Sequence, residues 1–179
     1  TTVPNVTIDY IEMTPPYLDN AGSEVFLAPP IGLTPAKAKS KLRQEVLTSV
    51  AETVRLMTKI GPRLLVGIGP GAVIAAGVAS PRVVEAALYL RAAKPEEPRE
   101  VAPIWHSVKL VVLDSPSTFG RSRLETLQDA VPELFKADAR VIQMVWRRRQ
   151  YPQRDFGRAF ASAVGASEVE QLGDGVRAA

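Results

Sequence analysis

The chain has 179 residues, 46% of them apolar, and no cysteine, which suits one domain with a full core and excludes disulfides and thiolate metal sites. Its one histidine, His106, is too few for a histidine-based metal site, so no metal or cofactor is expected. The net charge of +3 is modest, no apolar run reaches the roughly 18 residues of a membrane span, and TTVPNVTIDY lacks the basic start and apolar block of a signal peptide, so the expectation is a cytoplasmic protein with no membrane partner.

In chain order, Val6 to Ile11 alternates like a half-buried strand, and a turn-rich passage from Thr14 to Ser23 leads to a second short strand over Glu24 to Ala28. Thr34 is a good N-cap with Pro35 at the first helical position. Leu42, Val46, Val50, Val54 and Met57 then recur on one face of a helix that Gly61-Pro62 stops after Ile60. A strand over Leu64-Leu65-Val66 empties into Gly67-Ile68-Gly69-Pro70-Gly71 and a short helix through Ala72 to Ala76. Ser80-Pro81 could cap another helix or lead into a strand; with Gly77 closing the preceding helix, the strand from Val83 to Leu90 is favoured.

Residues 92–103, with three prolines and alternating charge, form an exposed linker. Beyond it the pattern repeats. Ile104 to Leu113 is strand-like, and Ser122 opens a helix with Glu125 in capping-box spacing. Leu124, Leu127, Val131 and Leu134 form its buried face, with a kink at Pro132. Arg140 to Val145 is a strand, Asp155 to Val164 a helix, and a last weak strand follows Gly165. The expected fold is α/β and Rossmann-like, a mostly parallel sheet with flanking helices in a single domain, 1–179. It is written as two strand-helix-strand-helix-strand halves, 1–93 and 104–179, joined through 94–103.

Three features are candidates for ligand contact. Gly67, Gly69 and Ala72 satisfy G-x-G-x-x-A between a strand and a helix, so Gly67, Gly69 and Gly71 could cradle an anion on backbone amides; the other reading is that these glycines let the turn pack against the sheet. Asp114 ends the strand Val111 to Leu113 and either faces a ligand hydroxyl or caps the following loop. The segment 146–158, WRRRQYPQRDFGR, sets five arginines against one acid at a strand end. Arg147, Arg148, Arg149 and Arg154 match phosphate oxygens, and Tyr151 could stack on a base. Lys37, Lys39 and Lys41 gather near a helix N-terminus, where cations call for an acidic partner.

No catalytic constellation emerges. There is no Gly-Lys-Ser/Thr loop, no G-x-S-x-G elbow beside His106 and no evident carboxylate pair, so no enzymatic activity is expected. The segments PRLLVGIGPGAVIAAGV, IWHSVKLVVLDSPSTFGRSRLETLQDAVPELF and RVIQMVWRRRQY resemble in arrangement the SAVED domains, two fused Rossmann-like units that bind cyclic oligonucleotides in bacterial antiphage signalling. That resemblance implies a non-catalytic nucleotide sensor that controls an effector. The alternatives are an assembly subunit acting through protein contacts or self-association, and nucleic-acid binding through 146–158.

Overall fold

The computed structural model describes residues 11–18, 21–28, 31–91, 108–114, 116–117, 124–135, 143–147 and 154–169. The expected strand from Val6, apart from Ile11, lies outside them, as do the linker 94–103, His106, Ser122, Arg148, Arg149 and Tyr151. The described architecture is α/β. Strands β1 (Tyr17–Leu18) and β2 (Glu24–Val25) form a small antiparallel pair, and helix α1 (Pro35–Ile60) follows. Thr34 accepts a hydrogen bond from the Lys37 amide at 3.5 Å, with Pro35 in the first turn, and the Gly61 amide closes the helix on the Met57 carbonyl at 2.8 Å.

Strand β3 (Leu64–Ile68) leads into helix α2 (Pro70–Ala79), which turns at Ser80 into helix α3 (Pro81–Arg91). The expected strand from Val83 to Leu90 is therefore a helix. Val83, Val84 and Ala87 are buried at helical spacing, the Val84 amide donates to the Ser80 carbonyl at 3.0 Å, and Pro81 occupies a first-turn position. Gly77 does not end α2; it is buried inside it.

Strand β4 (Leu110–Asp114), helix α4 (Leu124–Ala130), a 3-10 turn (Pro132–Phe135), strand β5 (Gln143–Arg147), helix α5 (Arg154–Ala163) and strand β6 (Ser167–Val169) complete the order. Pro132 ends α4 instead of kinking it, since a proline there has no amide to continue the ladder. Leu127, Val131 and Leu134 are buried, as their spacing predicts.

Strands β3, β4, β5 and β6 form one parallel sheet in that order. This corrects the expectation of two similar halves: among the described residues the sheet takes one strand from 1–93 and three from 104–179. The order also steps in one direction without reversal, so among the described residues there is no switch point of a doubly wound Rossmann sheet. With right-handed crossovers, such an order puts the connecting helices on one face. Burial agrees. Gly67, Val111 and Leu113 are buried beneath the helices, while Leu64, Val66 and Ile68, alternating with them, are exposed.

Helix α2 is the centre of the core. Its residues from Gly71 to Val78 are all buried, and it touches β3, β4, α1 and α3, which is why it is apolar all round. Among the described residues no single helix is long and apolar enough to cross a membrane; α2 and α3 reach that composition only together, across a 99° bend. Helix α1 buries two stripes. Val46, Val50, Val54 and Met57 face the core, and the polar residues Glu45, Ser49 and Thr53 are buried as well. The N-terminal segment explains the second stripe: the Ala28 amide donates to Glu45 Oε2 at 3.1 Å, and Ser49 Oγ donates to the Phe26 carbonyl at 3.3 Å. Lys41 pairs with Glu45 at 3.6 Å, so one member of the lysine group has its acidic partner.

Candidate functional site

In a parallel α/β sheet the strands all end on one side, and loops and helix N-termini gather there. Here Ile68 of β3, Asp114 of β4 and Arg147 of β5 occupy one row of the register at that carboxyl edge. Three sequence features far apart in the chain, the glycine loop, the strand-end acid and the start of the arginine segment, are thus brought to adjacent strand ends. Arg154 begins α5, the connection that follows β5.

The glycine loop is built by two different requirements. Gly67 is a matter of space: a Cβ there would lie 2.4 Å from the Gly71 carbonyl oxygen, 2.6 Å from Ala72 Cα and 2.7 Å from Ala75 Cβ, so α2 can lie this close to β3 only over a glycine. Gly69 is a matter of conformation, with φ 56° and ψ −122°, where a side chain would be strained. That backbone lets the Gly69 amide donate to the Asp114 carbonyl at 2.9 Å, while the Gly69 carbonyl accepts from Ala72 at 3.1 Å and from Ser117 at 3.2 Å. The loop is stitched to the exit of β4.

This stitching sets what the loop can offer an anion. Gly69 has given its amide to Asp114, Pro70 has none, and Ala72 bonds back to Gly69. Gly71 is the remaining first-turn amide, and Phe26 stands beside it: a Cβ at Gly71 would be 3.4 Å from the ring.

Asp114 is 2% exposed at the end of β4, and Pro116 beyond it is also buried. On the far side the first turn of α5 approaches the same exit, where a Cβ at Gly157 would be 3.4 Å from the Pro116 carbonyl oxygen. The end of β4 is therefore bracketed by the N-termini of α2 and α5, both of which carry the positive end of a helix dipole. Sequence reasoning did not find Phe26, Ser117 or Gly157. Only the fold places them here; Gly157 lies within the arginine segment, but nothing local marks it as a contact residue.

Among the described residues no group of three or more His, Asp or Glu side chains could hold a metal ion. No protein-family model, curated protein or solved structure matches the chain.

Proposed function

We propose that this chain is a non-catalytic binding module for a small phosphate-bearing ligand of nucleotide type, held at the carboxyl edge of the parallel sheet. The observation that carries this reading is the row Ile68, Asp114, Arg147, with two helix N-termini converging on its middle strand. An anion there meets favourable dipoles from both sides.

The division of labour follows from the hydrogen bonds. Gly71 supplies one amide, so most of the anion contact falls to the arginines, Arg147, Arg148, Arg149 and Arg154, whose planar forks match phosphate oxygens. Gly67 and Gly69 shape the loop, Asp114 fixes it through its carbonyl, and Tyr151 is the aromatic candidate for a base. The pattern-level resemblance to SAVED domains makes cyclic oligonucleotides the first ligand class to try and antiviral signalling to an effector the setting. The described sheet is singly wound and differs from the pair of Rossmann-like units that this resemblance implies.

The test is mass spectrometry of small molecules retained by the purified protein, followed by calorimetry with linear and cyclic nucleotides. Changing Arg147, Arg148 and Arg149 together to Ala should leave the melting temperature nearly unchanged and weaken binding by at least tenfold, about 1.4 kcal/mol. Unaltered affinity in that variant, or no response of the native protein to any nucleotide, would refute the reading.

A further inference from the structure

The Gly71 amide is the one first-turn donor of α2 left for an anion, yet Gly71 is buried in this structure. Phe26 covers it. Apart from chain neighbours and the nearby backbone of α2, the only atoms of the described residues within 4 Å of a Cβ built at Gly71 are Cε2 and Cδ2 of that ring, at 3.4 and 3.6 Å.

Phe26 belongs to the N-terminal segment, described over 11–18 and 21–28, and its backbone carbonyl accepts a hydrogen bond from Ser49 Oγ at 3.3 Å. The same segment is fastened at two further points: the Ala28 amide donates to Glu45 Oε2 at 3.1 Å, and Met13 Sδ lies 3.0 Å from Thr53 Oγ1. Glu45, Ser49 and Thr53 stand four residues apart, one turn of α1 after another.

The opposite stripe of α1 is held differently. Val46, Val50, Val54 and Met57 belong to the apolar core, to which the described residues of the N-terminal segment add Val25 and Leu27 alone. The segment's own ladder is two residue pairs long, and most of its described residues are exposed. A piece with few buried apolar side chains and separate polar fastenings opens far more readily than the domain unfolds.

We infer, given the anion site at the carboxyl edge, that the N-terminal segment is an autoinhibitory strap, closed in this structure, and that a ligand reaches the Gly71 amide when the strap lifts from α1. The rest of the fold stays in place. Apparent affinity is then the intrinsic affinity reduced by the fraction of open molecules, so whatever loosens the strap tightens binding by the same factor.

Hydrogen exchange of the intact protein, with inorganic pyrophosphate as the ligand probe, tests this. The Ala28 amide reads the lifting of the strap, and the Val50 amide, inside α1, reads unfolding of the domain. Corrected for intrinsic rates, Ala28 should exchange at least about tenfold faster than Val50, and with little dependence on urea. Saturating pyrophosphate should speed Ala28 further while slowing Val50, because the ligand draws molecules into the open but folded state.

Ser49→Ala removes one fastening. It should raise the opening constant at Ala28 about three- to tenfold and the calorimetric affinity for pyrophosphate by the same factor. Phe26→Ala removes the covering ring itself and should also raise the affinity. Ala28 exchanging only at the rate of Val50, pyrophosphate slowing both amides, or equal affinity in the native protein and both variants would each overturn the strap while leaving the anion site standing. Absence of pyrophosphate binding in all three proteins would overturn the strap and the site together.

Discussion

Arg43 of α1 and Glu133 of the 3-10 turn are joined by two parallel hydrogen bonds, Nη1 to Oε2 at 2.9 Å and Nη2 to Oε1 at 2.7 Å, although ninety residues separate them. The same Nη1 donates to the Ala130 carbonyl at 3.0 Å, which satisfies a C-terminal carbonyl of α4, and the pairing holds the Arg43 guanidinium above its ordinary pKa. Glu133 in turn receives Ser80 Oγ on its backbone carbonyl at 3.4 Å, so α1, α4 and the α2–α3 turn meet at one point.

Both side chains are partly exposed, so solvent screening limits the value of the pair. Arg43→Ala should cost about 1 kcal/mol in urea unfolding. Arg43→Lys should recover less than half of that, because an ammonium cannot reproduce the two-pronged geometry. Full recovery by lysine would mean that charge alone matters here.

Two glycines of one loop should behave in opposite ways. Gly67→Ala drives a Cβ into the backbone of α2, which cannot move without separating helix from sheet, so a loss of about 3 kcal/mol or the end of cooperative unfolding is expected. Gly71→Ala meets the Phe26 ring at ordinary contact distance and gains helix propensity, so its stability should stay within about 1 kcal/mol of the native protein. Thermal unfolding of the two variants is enough. Equal damage would mean that the loop, and not the packing at Gly67, is the sensitive element.

The contrast shows what the sequence could disclose. Helix α1 was legible to the residue, because Thr34-Pro35, the periodic apolar face and Gly61 are all local signals. That the glycine loop, Asp114 and Arg147 stand at the ends of strands was legible, because each follows an apolar run; that these ends lie side by side in one row was not. Helix α3 was misread by weighing Gly77 as a stop; Ser80-Pro81 carries the same N-cap and first-turn signature as Thr34-Pro35, and the packing of Gly77 against Val50 of α1 is a tertiary fact. The stripe Glu45, Ser49, Thr53 was not readable at all. Polar residues at helical spacing look solvated until another segment is known to lie on them. Strand order is likewise a property of the whole sheet.

That stripe has a consequence for pH. Burial pushes the Glu45 carboxyl above its ordinary pKa, against the opposing pull of the Ala28 amide and Lys41. The folded state therefore keeps the proton to a higher pH than the unfolded chain, and the stability this confers is lost as pH rises from the ordinary carboxylate range through the folded value. Glu45→Gln stays neutral and retains an oxygen for Ala28. Relative to the native protein it should gain stability as pH rises above the ordinary carboxylate range, measured by urea unfolding across that rise. Parallel curves for the two proteins would show that ionisation of Glu45 is not coupled to folding.

The last expectation concerns the two halves, 1–93 and 104–179, which should be unable to fold apart. Their boundary looks like a domain linker in the sequence, yet the β3–β4 ladder crosses it over five residue pairs, from Leu64 with Leu110 to Ile68 with Asp114. Arg43 and Glu133 cross it too, and α2 packs on β4 as well as on β3. Separated, the described residues of the first half would hold one strand of the parallel sheet, parted from the β4 it pairs with, and α2, apolar all round, would lose its cover where β4 had been. The second half would keep three strands with Val111 and Leu113 uncovered. A ladder and a buried helix face of this size outweigh the few kcal/mol that either half could gather alone. Each fragment, expressed separately, should show no cooperative melting, and mixing the two should restore a transition below that of the intact chain. A half that melts cooperatively near the full-length temperature would show that the boundary at 94–103 divides two independent units after all.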